Sequence, residues 1–301
     1  VSQRGWALFA AMCVIWGLPY LFIRIAVEHI SPGSLVFLRT GIAALVLLPL
    51  ALWRAEVRPV LVRWRWLIVF AAIEIIGPWL LLSDAERHLN SSLAGLLVAA
   101  VPLIGAVIAW LSPSGDRVNR LQLIGLLTGL AGVAALVGLD FGDLDMSAVA
   151  EMAIVSVCYA VGPIVLARRL SDLPGLGVIA CALTVSAGAT LPFVILTPPN
   201  LGRPSVVLSV IVLALVCTAL AFVLFFELIA TIGPTRSTVI TYVNPAVALL
   251  LGVIVLNEDV TSGMLVGFPL ILVGSILGAR KAPTSSGQES TLMPAGSVSR
   301  S

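Results

Sequence analysis

Charge is what this sequence has least of. Only 11% of its 301 residues are Asp, Glu, Lys or Arg, against about 25% in an ordinary soluble domain. Apolar residues make up 59%, and mean hydropathy is +1.11. So few charges cannot cover a water-exposed surface. Disorder over most of the chain is excluded too, because it needs low hydrophobicity and high net charge. A net charge of +2 with dispersed basic residues excludes a nucleic-acid binder. Cysteine is scarce: Cys13, Cys158, Cys181 and Cys217 all fall inside apolar runs, with no C-x-x-C pair and no histidine nearby. They read as small buried hydrophobes, not as metal ligands. The only histidines are His29 and His88, and the chain has no H-E-x-x-H, G-x-S-x-G or P-loop pattern. That argues against a membrane-embedded enzyme and against ATP hydrolysis. Repeated polar rings or filter loops, which a channel would carry, are missing as well. Enzyme and channel are the alternative readings to the one developed below, and no cofactor is implied.

What the chain does have is long apolar runs. A membrane helix needs roughly 17–25 mostly apolar residues. Uncharged stretches of that order occur at 5–23, 88–115, 121–139, 173–202, 204–226, 237–257 and 260–279. Three more hold one charge each: Arg39 in 31–53, Glu74 in 66–83 and Glu151 in 148–167. The first run follows Arg4 and lacks an A-x-A cleavage pattern, so it reads as a retained span. Nothing alternates apolar and polar as a barrel strand would. The pattern predicts an all-α membrane protein of ten transmembrane helices.

Arginine sets the orientation. With the N-terminus inside, thirteen Lys and Arg residues, from Arg4 to Arg300, fall on the cytoplasmic side, and only Arg87 and Arg203 fall outside. Both termini are therefore expected in the cytoplasm, in a multi-pass protein of the cell membrane. The segment 281–301, rich in Ser, Thr, Gly and Pro, reads as a disordered cytoplasmic tail.

The chain also resembles itself at a spacing of 142–144 residues. Pro32-Gly33 matches Pro174-Gly175, Pro49 matches Pro192, and Pro102 matches Pro245. Gly125 and Gly132 match Gly267 and Gly274. These landmarks divide the chain into repeats at 5–140 and 146–280. Each repeat holds five spans, an odd number, so the second must enter the membrane from the opposite side. Two inverted five-helix repeats around a central cavity form an architecture for alternating access to one midplane site.

With that pattern in view, the motifs resemble the EamA group of the drug/metabolite transporter superfamily, the ten-helix exporters and permeases. The first span carries Trp16-Gly17 with Arg24 seven positions after the glycine. The second carries Pro32 and then Phe37-Leu38-Arg39. Asn90, Pro102, Trp110 and Gly115-Asp116-Arg117 follow, and the second half repeats the theme in Asn244-Pro245, Asn257-Glu258 and Val266-Gly267. Asp116 stands where the family usually has glutamate. The resemblance covers roughly residues 5–280. It implies transport of a small molecule without implying which one.

An ionised group at bilayer centre costs about 2.5–3.5 kcal/mol on insertion scales. Arg24 is near the outer end of its span and can pair with Glu28 one turn on. Arg39 is a turn inside its span and is expected to snorkel outward. Both are read as structural, like Pro102 and Pro245. Glu74 has no such escape, lying about 12 Å from either end of its span at 1.5 Å per residue. Pro78 has no N–H to give the Glu74 carbonyl, and Trp79 offers an aromatic wall for a cation. Glu74 is thus the leading substrate-site candidate, either binding a cationic group or carrying the coupling proton. Trp16, Tyr20, Tyr159, Tyr242 and Asn244, near the carbonyls that Pro19, Pro163 and Pro245 leave free, form a second tier. Asp84 and Glu227 are repeat-equivalent at opposite ends, and Glu227 with Arg236 is the expected inner gate. The faces Gly125-xxx-Gly129, Gly263-xxx-Gly267 and Gly274-xxx-Gly278 permit close helix contact, within a monomer or between two copies of a homodimer. The expected partners are a small-molecule substrate, such as an amino acid or hydrophobic amine, protons and the lipid bilayer.

Overall fold

The computed structural model describes residues 2–111, 120–138, 145–233, 237 and 239–278. The tail, Asp116 and Arg236 lie outside these. Helices make up nearly all of the described chain: α1 Gln3–Val27, α2 Pro32–Trp53, α3 Trp64–Ala85, α4 Ser91–Ile108, α5 Arg120–Gly138, α6 Met146–Arg169, α7 Gly175–Leu196, α8 Pro204–Ile232, α9 Ile240–Leu256 and α10 Ser262–Gly278. Eight are long and apolar enough to cross a membrane, and α9 and α10 are shorter apolar helices of 17 residues. A short helix, Val57–Val62, joins α2 to α3.

Local sequence explains where the helices start and bend. Ser31 accepts from the Ser34 amide ahead of Pro32, and Asn90 accepts from the Leu93 amide at 2.8 Å. Both satisfy N–H groups that a helix start leaves bare. The first helix breaks between Ile15 and Leu18. There a Cβ on Gly17 would strike Val247 of α9, so only glycine lets the two helices approach. Within α3 the turn Ala72–Ile76 widens to π geometry, and the Gly77 amide reaches back five residues to the Ala72 carbonyl. The missing N–H of Pro78 lies immediately after this turn. A longer π segment, Val212–Leu220, occupies α8 with no proline in it. There the Thr218 hydroxyl donates to the Leu213 carbonyl at 2.8 Å. Such turns are frequent at functional sites.

The closest helix pairs are α5 with α10, α2 with α7, α4 with α9 and α3 with α6; α1 packs on α8. Between α5 and α10 the main chains touch: a Cβ on Gly125 would meet Gly278, and one on Gly274 would meet Gly129. The small-residue faces therefore close on each other inside the chain.

The two ends of the bundle differ. One gathers the acids Glu28, Asp84, Glu86, Asp145 and Glu258. There Arg24 reaches the Glu86 carbonyl, and the Glu258 carboxylate accepts from the amides of Ser91 at 2.7 Å and Ser92 at 2.9 Å. A carboxylate suits the positive end of α4. At the other end Arg63 forks onto Asp172 at 2.6 and 2.7 Å, and Glu56 accepts from the Gly177 amide.

Candidate functional site

Arg39 does not snorkel. It is 6% exposed, and its Nε donates to Thr218 Oγ1 at 2.9 Å, on the π segment of α8. Its guanidinium carbon lies 3.6 Å over the Trp79 ring. The aromatic wall foreseen for a cation at Trp79 is thus occupied by the protein's own arginine. The reason is rotational: Arg39 is seven residues into α2, on a side that faces α3 and α8 and not the lipid. Tyr20 of α1 is buried beside it, and Tyr20, Tyr159 and Glu86 all lie within its electrostatic reach. Five helices, α1, α2, α3, α6 and α8, thereby meet around one arginine.

Glu74 sits in the π turn of α3, ten residues from Trp64 and eleven from Ala85. Its Oε2 is buried without a hydrogen-bond partner among the described residues. The carboxylate fills the space that a side chain on Gly162 of α6 would need. Gly162-Pro163 thus makes room for the acid, a role the sequence reading missed although a Gly-Pro pair at midspan was there to see. Glu74 and Arg39 both lie within electrostatic reach of the Tyr159 hydroxyl. A carboxylate, a guanidinium and three aromatic side chains therefore share one region inside the helices.

The remaining candidates are elsewhere. Trp16 packs on α8, 4.7 Å from Phe225 and 6.1 Å from Phe222 between ring centres. The Asn244 amide, turned so that its nitrogen donates, reaches the carbonyls of Cys13 at 3.1 Å and Ile240 at 2.9 Å. It ties α9 to α1 and does not join the Glu74 group. Tyr242 is half-buried, and Pro102 and Pro245 lie within α4 and α9. Asp84 pairs with Arg87 at 3.0 Å. Glu227 pairs with Arg4 at 2.6 Å, a partner the sequence reading did not consider. Arg24 lies 4.0 Å from Glu28, but its shorter bond, 2.5 Å, goes to the Glu86 carbonyl. A groove of about 440 Å³ opens between α2 and α7, lined by Phe37, Leu38, Leu45, Leu48, Thr184 and Ala187 among others. It is apolar, and none of the residues around Glu74 line it.

Glu86 escaped notice in the sequence, where it reads as one more loop acid after α3. It is fully buried, and neither carboxylate oxygen has a hydrogen-bond partner among the described residues. Burial and the Glu258 carboxylate push its carboxyl well above the ordinary glutamate value of 4.5, while Arg24 and Arg39 pull it down. A raised folded-state value means that the folded protein holds a proton the unfolded chain would release. Its stabilising contribution is complete below about pH 4.5 and is lost as pH climbs through the raised value. Thermal unfolding in detergent should therefore show Tm falling as pH rises above the ordinary glutamate value of 4.5. Glu86→Gln should flatten that fall, and an unchanged slope in the variant would assign it to other groups.

Apolar helices, eight of them among the described residues long enough to cross a membrane and closed at both ends of the bundle by caps and ion pairs, define a multi-pass helical membrane protein. The chain belongs to the EamA-like transporter family, whose pattern matches residues 3–138 and again 146–279. It is therefore a membrane transporter. It is 30% identical to the inner membrane transporter YedA of Escherichia coli strain K12 over 261 residues, 82% of this chain and 80% of that one. It is 23% identical to the transporter YvbV of Bacillus subtilis, over 92% of each chain. Protein PecM of Dickeya dadantii is 24% identical over 89% of this chain and 90% of its own. A solved crystal structure shares the fold, with a TM-score of 0.65 and 21% identity over 93% of this chain and 97% of that one.

Proposed function

We propose that the chain is a secondary carrier that exports small zwitterionic or cationic metabolites, amino acids or drug-like amines, by alternating access of one site around Glu74. One observation carries this reading: the Glu74 carboxyl is buried at midspan with an unpartnered oxygen, in a widened helical turn, and within electrostatic reach of Tyr159, which also senses Arg39. A polar group at that depth is costly unless something binds it.

The architecture invoked is two inverted five-helix repeats, residues 5–140 and 146–280. Pairing of α2 with α7, α5 with α10 and α4 with α9 joins helices at equivalent places in the two halves, and α3 with α6 mirrors α8 with α1. The double family match falls on the same division. Both termini are assigned to the cytoplasm because the arginine-rich end then faces inward. Protons are the favoured coupling ion, with Glu74 as their carrier. The chain acts as a monomer in this reading, since its glycine faces are used internally.

Flux in proteoliposomes tests the class. A carrier saturates with substrate and shows counterflow, whereas a channel shows neither and an enzyme consumes its substrate.

The inward gate is assigned to Arg4 and Glu227. The pair is exposed, so it is worth no more than about 1 kcal/mol, and reversing either charge should slow efflux about fivefold or less. The double reversal, Arg4→Glu with Glu227→Arg, should restore the initial rate. A double variant no better than the single ones would remove the gate.

A further inference from the structure

We propose that Arg39 is an anchor for a carboxylate on the transported solute, so that the solute must carry an acid as well as an amine. This rests on the transport-site reading above and narrows it from cations and zwitterions to amino-carboxylic acids.

A guanidinium cannot lose its charge in a protein, and it has five N–H donors. Arg39 spends one, the Nε–H, on Thr218. Its flat face rests on Trp79. Among the described residues, no acceptor bonds its two terminal nitrogens and no carboxylate pairs with it. A buried cation without a counter-ion is costly. The nearby Glu86 does not relieve that cost: it senses Arg39 electrostatically, yet both of its oxygens stay without a bond.

The two terminal nitrogens form a fork that matches the two oxygens of a carboxylate. Tyr20 and Tyr159 lie within electrostatic reach of the guanidinium and carry hydroxyl donors. Glu74 approaches the same Tyr159 from α3. An ammonium on Glu74 and a carboxylate on Arg39 would neutralise both protein charges with one small molecule of no net charge. A simple amine would leave Arg39 unpaired, and a simple acid would leave Glu74 unpaired.

The Thr218 contact adds a consequence. Arg39 is held by the π segment of α8, whose widened turn Thr218 itself closes through the Leu213 carbonyl. A carboxylate drawing on the guanidinium therefore acts on a segment of α8 that already departs from regular α-helix geometry.

The test uses purified full-length protein in liposomes loaded with three matched sets of probes: the twenty common amino acids, the amines left when the carboxyl is removed, and the acids left when the amino group is removed. Release is followed by mass spectrometry. At least one amino acid should leave saturably, about tenfold or more faster than its amine and its acid. Arg39→Gln should erase the advantage over the amine, and Arg39→Lys, which keeps the charge but loses the fork, should retain part of it. Glu86→Gln should leave the ratio of amino acid to amine intact. Amines leaving as fast as amino acids would overturn the anchor and leave the carrier standing. So would an unchanged ratio in Arg39→Gln. If Arg39→Gln and Glu86→Gln lowered all fluxes equally at a constant ratio, Arg39 would be the partner of Glu86 and not of the solute. Flux of none of the three sets would overturn the carrier reading and the anchor together.

Discussion

Glu74→Gln should lower efflux of the transported solute about 100-fold, the order expected when a charge-assisted bond of 1.5–3 kcal/mol is lost, with little change in stability. Glutamine matches glutamate in size and fits the same space against Gly162, so the α3–α6 contact survives. What disappears is the charge and the exchangeable proton. Glu74→Asp keeps both and should be milder, its carboxylate drawn back by one methylene. Initial rates in proteoliposomes at several pH values are the measurement. If the glutamine variant transported normally with an unchanged pH profile, Glu74 would be a neutral packing group, and the site would have to be sought elsewhere in the bundle. Gly162→Ala approaches the same question from α6. It leaves the acid in place, but its methyl needs the space the carboxylate occupies. It should therefore impair transport through a displaced Glu74, with an intact carboxyl still present.

The division of the chain into apolar spans could be read without coordinates, because lipid forces helices and helices need length. Glu74 could be read for a related reason. A charge in the middle of a span has nowhere to go, and its consequence does not depend on which way the helix faces. Arg39 illustrates the opposite case. Seven residues into α2, it was close enough to an end to snorkel, and only the rotation of the helix decides whether it points to lipid or to Trp79. Its hydrogen-bond partner, Thr218, is 179 residues away, and no local pattern announces such a pair. The F-x-R triplet was visible as a family-like motif, but a motif alone does not give a side chain's surroundings. The two π turns divide in the same way. The one in α3 was half legible through Pro78. That in α8 contains no proline and rests on tertiary packing and on Thr218. Trp16 and Asn244 were selected because prolines free carbonyls near them, yet both turned out to bind neighbouring helices. Freed carbonyls mark irregular backbone, not the identity of what fills it.

The second large effect concerns stability. Gly274→Ala in α10 should lower unfolding free energy by about 3 kcal/mol or more, the upper part of the range for overpacking. Its new Cβ would lie 2.6 Å from the Gly125 carbonyl oxygen and closer still to the amide nitrogen and Cα of Gly129. All three are main-chain atoms of α5, so no side chain can rotate aside, and relief requires moving one helix away from the other. Across the same seam Gly132 meets Ile271, and Gly267 meets the Gly132 carbonyl, so a shift at one point opens the contact along several turns. Lipid solvates apolar side chains about as well as protein does, and close packing is what holds such helices together. Gly188→Ala in α7 is the internal control. Nothing lies within 4 Å of the methyl it adds, and alanine favours helix over glycine by up to about 1 kcal/mol. Thermal unfolding in one detergent should therefore move in opposite directions for the two variants. Equal Tm values for Gly274→Ala and the parent chain would mean that α5 and α10 do not meet backbone to backbone, and would free their glycine faces to join a second copy of the chain.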